Sequence, residues 1–153
     1  MIRDLIAADR AAWSPLWQDY LGFYEVATMD PQITETAWHR LTDPVSRLFG
    51  RVAVAADGTL LGFAHCVLHE ATWCIEPICY LEDLFVTPEA RGRNVGKALI
   101  DDLLALCQDR GWGRLYWHTN TDNEQARRLY DRFRPADDYV RYRIHIEEWT
   151  QDT

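Results

Sequence analysis

The chain has 153 residues, of which 48% are hydrophobic and 26% charged, and its formal net charge is -8 at pH 7. This composition predicts a folded globular domain and excludes a disordered chain. No apolar run approaches the roughly 20 residues that a membrane span needs, and charges interrupt the N-terminus, so we expect a cytoplasmic protein. The acidic balance disfavours nucleic acid as a partner and favours cationic ones.

The first half of the chain predicts two helices and three strands. Residues 2–6 are strand-like, and residues 8–24 predict a helix with apolar and aromatic positions at helical spacing. A second helix runs from about residue 34 to the neighbourhood of Pro44. Residues 49–55 and 60–68 flank Asp57-Gly58, which predicts a hairpin of antiparallel strands.

The second half predicts parallel pairing. Residues 79–86 and 115–119 read as strands joined by a helix over 97–110, which Gly111 closes. A strand–helix–strand unit of this kind makes a right-handed crossover. In open α/β sheets ligands bind at the carboxyl ends of the strands, so we expect a ligand at the carboxyl end of the first strand of this unit. Residues 123–133 predict a helix with Thr121 and Glu124 as a capping box, and residues 140–146 a closing strand. The fold class is α/β, a sandwich around a mixed sheet.

The cysteines and histidines do not point to a metal. The four cysteines lack paired C-x-x-C spacing, so we interpret them as reduced thiols, mostly in the core. His65 and His69 are four residues apart, but they lie in a strand-like segment, where that spacing does not make one helical face. The sequence therefore predicts no metal site.

The turn after the predicted strand over residues 79–86 is basic, which is unusual in an acidic protein. It reads Arg91-Gly92-Arg93-Asn94-Val95-Gly96-Lys97. Cations at a helix start oppose the macrodipole and cost about 0.3–1 kcal/mol each. A bound anion would reverse that effect, and backbone amides beside glycines are a common cradle for a pyrophosphate.

Two motifs carry a family resemblance. The pattern Val86-x-Pro88-x-x-Arg91-Gly92-x-Asn94-x-Gly96, followed by Asn123-x-x-Ala126-x-x-Leu129-Tyr130, resembles the GNAT superfamily of acetyl-CoA-dependent N-acetyltransferases. The resemblance is greatest to the branch that acetylates small amines, amino acids or histone tails. Asn94 stands where the signature has its first glycine, and Asn adopts positive φ readily, so we expect the turn to be kept.

The resemblance implies the architecture, the cofactor and the assembly. It implies a single N-acetyltransferase domain over residues 1–153, a GNAT-like α/β sandwich around a mixed, mostly antiparallel sheet with a central parallel strand pair. It implies acetyl-CoA as the cofactor, without a metal, and an amine acceptor that is a small molecule or a peptide. Dimers are frequent in the family, so a homodimer is an open expectation for this chain.

The resemblance also assigns catalytic roles. Glu82, on a strand expected to be largely buried, is the candidate base, because burial raises a carboxyl pKa. Strict alternation would put Glu82 and Asp83 on opposite faces, whereas the bulge of the family would change this. Tyr130 is the candidate acid for the leaving thiolate. Alternatively, Glu82 or Asp83 pairs with an arginine or caps a turn, and Tyr130 is a core residue.

The remaining site residues follow from the same resemblance. Backbone groups near Phe85 and Val86 would hold the pantetheine arm and polarise the thioester carbonyl. The cofactor-binding set is Phe85, Val86, Arg91, Gly92, Arg93, Asn94, Val95, Gly96, Lys97 and Asn123. Asn123 would hold the arm of the cofactor, or cap its helix, or do both.

The sequence allows more than one interpretation of the acceptor-binding residues and of the overall activity. Tyr20, Tyr24 and His118 are candidate acceptor-binding residues, although aromatic residues at helical spacing are most simply a packed helix face. The activity expected is transfer of an acetyl group from acetyl-CoA to a primary amine by direct attack in a ternary complex. A non-catalytic acyl-CoA sensor is the alternative.

Overall fold

The computed structural model describes residues 1–149 of the chain. In chain order the elements are β1 (Ile2–Asp4), α1 (Arg10–Phe23), α2 (Pro31–Thr42), β2 (Leu48–Val54), β3 (Leu60–His69), β4 (Ile78–Val86), α3 (Val95–Arg110), β5 (Arg114–Tyr116) and α4 (Glu124–Tyr130). Met1–His118 forms one compact unit, and a second begins at Thr119. Within the described residues, no helix combines the length and the apolar character that crossing a bilayer requires.

The strands of the first unit form one sheet in the order β1-β2-β3-β4-β5. The pairs β1–β2, β2–β3 and β3–β4 are antiparallel, and β4 and β5 are parallel. The helix α3 connects these two strands, as a parallel pair requires. The predicted mixed, mostly antiparallel sheet with a parallel strand pair is therefore confirmed.

The β2–β3 hairpin forms at the predicted turn. The carboxylate Oδ1 of Asp57 accepts a hydrogen bond from the Thr59 amide at 3.0 Å. Gly58 has φ +89°, which a glycine adopts without the steric cost that a Cβ would bring. The turn therefore fixes the register of two strands that both contribute to the core.

Aromatic side chains of α1 and α2 build the core on one face of the sheet. Trp13 is fully buried, and its ring centre lies 5.6 Å from that of Trp17 and 4.8 Å from that of Trp38 on α2. Phe63 of β3 and Phe85 of β4 belong to the same cluster. Burial of each such side chain contributes about 1.5–3 kcal/mol, so the cluster holds α1 against the middle of the sheet.

The helix α3 covers the opposite face of the sheet. Its fully buried side chains are Leu99, Ile100 and Leu103. The thiols of Cys66, Cys79 and Cys107 are buried, and all four cysteines are free. The interpretation of most cysteines as core thiols is therefore confirmed.

Two helix starts differ from the prediction. The helix α2 begins at Pro31, earlier than predicted, because the Asp30 side chain accepts a hydrogen bond from the Gln32 amide and caps it. An Asp followed by Pro is the sequence signal for such a start. The predicted capping box of α4 is wrong, since its N-cap is Asn123.

The parallel pair and the C-terminal segment are less regular than predicted. The strand β5 ends at Tyr116, three residues before the predicted boundary at 119. The predicted closing strand over 140–146 is not formed, and Val140, Tyr142 and Ile144 are 75%, 92% and 60% exposed. Alternation marks residues that fit a half-buried strand, but a strand also needs a partner edge, which the pattern does not supply.

Gly62 of β3 lies close to the backbone of β4, so adding a side chain there tests how tightly the two strands pack. A Cβ on Gly62 would lie 2.4 Å from the carbonyl oxygen of Phe85. We expect Gly62→Ala to lower the free energy of unfolding by about 1–3 kcal/mol, measured by urea denaturation, because backbone must move to admit the methyl group. The control is Gly22→Ala in α1, where no atom lies within 4 Å of the added carbon. It should stabilise the protein by about 0.5–1 kcal/mol, and equal stabilities of the two variants would contradict this packing.

Candidate active site

The turn between β4 and α3 has the backbone geometry of an anion cradle. Gly92 has φ +74°, and Asn94 has φ +60°, so Asn94 adopts the left-handed conformation predicted for it. The first hydrogen bond of α3 joins the Ala98 amide to the Asn94 carbonyl at 2.9 Å, and the Asn94 side chain does not cap the helix. The amides that precede Ala98 therefore have no acceptor within the helix, and an anion can bind them.

The cations of this turn have different surroundings. The Nε of Arg91 donates to the carbonyl oxygen of Val86 at 3.2 Å, and the side chain of Arg93 is exposed. The Nζ of Lys97 donates to Oδ2 of Asp101, one helical turn later, at 2.6 Å. The sequence analysis missed Asp101, although its spacing from Lys97 is that of a helical ion pair. The turn is thus basic, with one of its charges partly balanced.

A gap opens between β4 and β5 beside the turn. The pairing of the two strands ends at Tyr80 and Tyr116, whereas β4 continues to Val86. On its other side β4 stays paired with β3 as far as Val86. The last part of β4 therefore presents one backbone edge that no described strand of this sheet covers.

The direction of the backbone amides shows which of them line this edge. The Thr87 amide donates to the carbonyl of Leu61 on β3 at 2.9 Å. Because successive N–H groups of a strand point to opposite sides, the amides of Val86 and Leu84 point into the gap and that of Phe85 points to β3. The sequence analysis did not predict Leu84, because its amide direction depends on the register with β3.

The strand β4 carries a bulge at Glu82. Its register pairs Asp83 with His65 and Leu81 with Cys66, so Glu82 is the extra residue. The bulge turns Asp83 toward α1, where its carboxylate contacts His65 and Tyr20. It thus interrupts the alternation that would put Glu82 and Asp83 on opposite faces.

The environment of Glu82 makes its carboxylate more basic than usual. The residue is exposed, yet the sheet removes water from part of the carboxylate. This loss of solvation raises the pKa of Glu82, and the negative charge of Asp83 raises it further. Among residues 1–149 no ion pair joins Glu82 to an arginine, and Asp83 bonds to His65 and Tyr20 instead.

The predicted acceptor residues of α1 have different roles in the structure. The hydroxyl of Tyr20 donates to Oδ1 of Asp83 at 2.8 Å, and burial together with the charge of Asp83 raises the pKa of Tyr20. Tyr24 meets the Tyr20 ring edge-on at 5.0 Å and is 46% exposed. Tyr24 therefore offers an open aromatic face, and Tyr20 offers a ring whose hydroxyl is already bonded.

His118 belongs to an aromatic row across β4 and β5. Its ring stacks on Tyr80 at 5.4 Å, and its Nε2 lies 3.1 Å from the Tyr80 hydroxyl. Tyr80 stacks in turn on Tyr116 at 5.0 Å, and the hydroxyl of Tyr116 lies 2.8 Å from Nε2 of His69. The sequence analysis found His118 alone, since the other members follow only from cross-strand pairing.

Two predicted site residues lie in the second unit. Asn123 caps α4, and its Oδ1 accepts a hydrogen bond from the Ala126 amide at 3.2 Å. Tyr130 is the last residue of α4 and is partly buried. The capping role of Asn123 is therefore observed, while its role toward a cofactor and that of Tyr130 as an acid stay predictions.

The first unit thus combines an anion cradle, an open strand edge and a basic carboxylate. The cradle suits phosphates, and the edge of β4 suits an extended chain with amide groups. Glu82 lies on the same strand, four residues before Val86. Within the described residues, no cluster of three or more His, Cys, Asp or Glu side chains is suited to hold a metal ion.

Comparison with known sequences agrees with this chemistry. Residues 10–134 match the model of the Acetyltransferase (GNAT) family. The chain is 33% identical over 144 residues to the D-amino-acid N-acetyltransferase HPA3 of Saccharomyces cerevisiae, covering 94% of this chain and 89% of that protein. It is 32% identical over 151 residues to the aminoglycoside N(6')-acetyltransferase type 1 of Stenotrophomonas maltophilia, covering 95% and 94%.

Solved structures share the fold at lower identity. The crystal structure of a probable acetyltransferase superposes with a TM-score of 0.83 at 21% identity, covering 95% of this chain and 97% of the other. The structure of AAC(6')-Iy in complex with the bisubstrate analog CoA-S-monomethyl-acetylneamine has a TM-score of 0.75, also at 21% identity, with the same two coverages. From its motifs, fold and relatives together, the chain belongs to the GNAT superfamily of N-acetyltransferases.

Proposed function

We propose that residues 1–153 act as a single N-acetyltransferase domain that moves an acetyl group from acetyl-CoA to a primary amine by direct attack in a ternary complex. The observation that carries this proposal is the position of Glu82. The bulge presents an exposed and unusually basic carboxylate on the strand whose Val86 amide points into the gap. A base and a carbonyl-binding amide on one strand are what amide formation from a thioester requires.

The fit of acetyl-CoA rests on the cradle and on the gap. The phosphates would bind the amides at the start of α3, with Arg91, Arg93 and Lys97 as counter-charges. The Gly92, Asn94, Val95 and Gly96 backbone shapes this cradle, because two of these residues have positive φ. The pantetheine arm would run along β4 past Val86 and Phe85. The family motif is the basis for assigning Asn123 to hold this arm as well.

Each chemical step then has a residue. Acetyl-CoA, when bound, supplies a thioester whose carbonyl carbon accepts a nucleophile. Glu82 takes a proton from the ammonium group of the acceptor, which leaves a nitrogen lone pair for attack. The Val86 amide binds the carbonyl oxygen as negative charge develops on it. When the carbon–sulfur bond breaks, Tyr130 would give its phenolic proton to the thiolate. The attacking nitrogen would lose its remaining extra proton to solvent, and solvent would return a proton to Tyr130.

The acceptor is proposed to be a small or peptide-borne amine. The two relatives above are named for D-amino acids and for aminoglycosides, and both classes carry amines. The negative charge of this chain favours such cations over long distances. Tyr24 and His118 would contact the acceptor through their exposed faces, since aromatic rings attract ammonium groups, and Tyr20 would complete that wall.

The direct test measures acetyl-CoA-dependent thiol release with purified protein. The acceptors are D- and L-amino acids, lysine, spermidine, an aminoglycoside and a histone-tail peptide. We expect release with at least one amine class. As a control for binding, acetyl-CoA should raise the melting temperature, by less at high salt because salt screens the cations of the turn. A raised melting temperature without release from any amine would favour the sensor function instead.

Substitution of the two catalytic candidates separates binding from chemistry. Glu82→Gln should lower kcat by roughly 10²- to 10⁴-fold, as loss of a general base does. Tyr130→Phe should lower kcat as well, because the thiolate then has to take its proton from water. Both variants should bind acetyl-CoA with the wild-type Kd in isothermal titration calorimetry. Wild-type turnover of either variant would rule out the role assigned to that residue.

The exposed C-terminal segment makes a homodimer part of the proposal. Tyr142 and Ile144 alternate with basic residues and are 92% and 60% exposed, and β5 ends the order of the described strands. Strand addition from a second copy would bury these side chains. Sedimentation velocity should show a dimer, and Tyr142→Asp should shift it toward monomer. A monomer for the unmodified protein at tens of micromolar would contradict the dimer.

A further inference from the structure

Four polar side chains form a continuous hydrogen-bonded chain between α1 and the bulge of β4. The indole Nε1 of Trp13 lies 3.0 Å from Nε2 of His65, and Nδ1 of His65 lies 3.0 Å from Oδ2 of Asp83. The Tyr20 hydroxyl lies 2.8 Å from Oδ1 of Asp83. Trp13 is fully buried, and His65 is only 4% exposed.

The chemistry of Trp13 fixes the proton position on His65. An indole N–H can only donate, so Nε2 of His65 must accept and carries no proton. The proton of the neutral ring is then on Nδ1, which donates to Asp83. The ring of Phe63 stacks on His65 with centres 4.2 Å apart and an angle of 9° between planes, which holds the imidazole in this orientation.

Asp83 therefore accepts a hydrogen bond on each carboxylate oxygen. One donor is Nδ1–H of His65, and the other is the Tyr20 hydroxyl, which keeps its proton because burial raises the pKa of Tyr20. Within residues 1–149 two donors and no arginine contact Asp83, so it is an oriented carboxylate whose charge no described cation cancels. A partly buried charge of this kind costs stability unless it is well hydrogen-bonded. Apolar side chains would avoid that cost if the role of this position were purely structural.

The bulge brings this charge beside Glu82. The titratable groups that contact Asp83 are His65 on β3 and Tyr20 on α1. Tyr24 packs against Tyr20, and Tyr80, which bonds to His118, lies two residues before Glu82 on the same strand. Of these, His65 is neutral in the tautomer that Trp13 imposes. The fixed negative charge next to Glu82 is therefore that of Asp83.

Resting on the proposed function, we propose that Asp83 is a positioning residue that makes Glu82 an effective base, and that Trp13, His65 and Tyr20 hold it for this task. An ammonium group that approaches Glu82 meets two adjacent carboxylates. Its N–H bond breaks, the O–H bond forms on Glu82, and the electron pair stays on the amine nitrogen. Asp83 keeps its hydrogen bonds throughout and takes no proton, so the proton has one acceptor.

The first measurement needs no substrate and no variant. In a ¹⁵N NMR spectrum of the unmodified protein, the side chain of His65 should carry its proton on Nδ1 and show Nε2 as an unprotonated, hydrogen-bonded nitrogen. Trp13 is in the centre of the core, so the unmodified protein is a better subject than a Trp13 variant. A His65 ring with its proton on Nε2 and none on Nδ1 would overturn the proposal, because Asp83 would then lose this donor.

The second measurement compares the unmodified protein with Asp83→Asn. The ¹³C carboxyl signal of Glu82, assigned by its absence in Glu82→Gln, should titrate at lower pH in Asp83→Asn, because a neighbouring negative charge is removed. The acidic limb of kcat/KM should move to lower pH as well, and kcat should fall about tenfold, less than for loss of the base itself. The Kd for acetyl-CoA should not change.

The control is Asp109→Asn, which removes one carboxylate from the exposed end of α3, where the Asp109 side chain is 82% exposed. It should leave the Glu82 titration and the pH profile unchanged. If Asp83→Asn lowers the melting temperature but moves neither titration nor pH profile, Asp83 is only structural and the proposal is wrong. The NMR titration decides this even if no amine is acetylated, whereas thiol release alone decides the proposed function.

Discussion

The bulge in β4 is the constraint on which the arrangement of the site depends. One extra residue at Glu82 changes which side chains of β4 face α1. Without it, Asp83 would face the α3 side of the sheet, where the side chains are leucines, isoleucine and buried thiols. With it, Asp83 meets two hydrogen-bond donors and Phe85 joins the aromatic core. A single backbone irregularity therefore sets both the packing and the charge distribution of this strand.

The aromatic core and the polar chain depend on each other. A carboxylate that turns inward needs donors, and the donors here come from residues that also pack the core, Trp13, His65 and Tyr20. Their rings supply apolar contact, and their polar atoms satisfy one another, so little hydrogen-bonding capacity is lost on burial. The same helix that stabilises the sheet thus sets the hydrogen bonding of Asp83, the neighbour of Glu82 in the chain.

The sequence predicted the parts of the site that depend on local chemistry. The glycines and Asn94 of the turn predict positive φ, and the turn has it. The position of the bulge, the direction of the Leu84 amide and the aromatic row of His118 depend on the register between strands, which a single sequence does not encode locally. The alternation of residues 140–146 predicted a strand, but pairing depends on an available edge, so the structure has no strand there.

The separation of basic and acidic regions explains how this small protein can attract two ligands of opposite charge. The protein is acidic overall, yet the turn that begins α3 concentrates cations and helix amides, while two carboxylates lie next to each other at the bulge four residues before Val86. An anionic ligand is attracted to the first region, and a cationic amine to the second. Because β4 connects the two regions directly, an extended ligand bound along its edge places its far end near the carboxylates. Under the proposed function, the geometry of one strand would bring a phosphate-bearing donor and an ammonium acceptor to the same reaction centre.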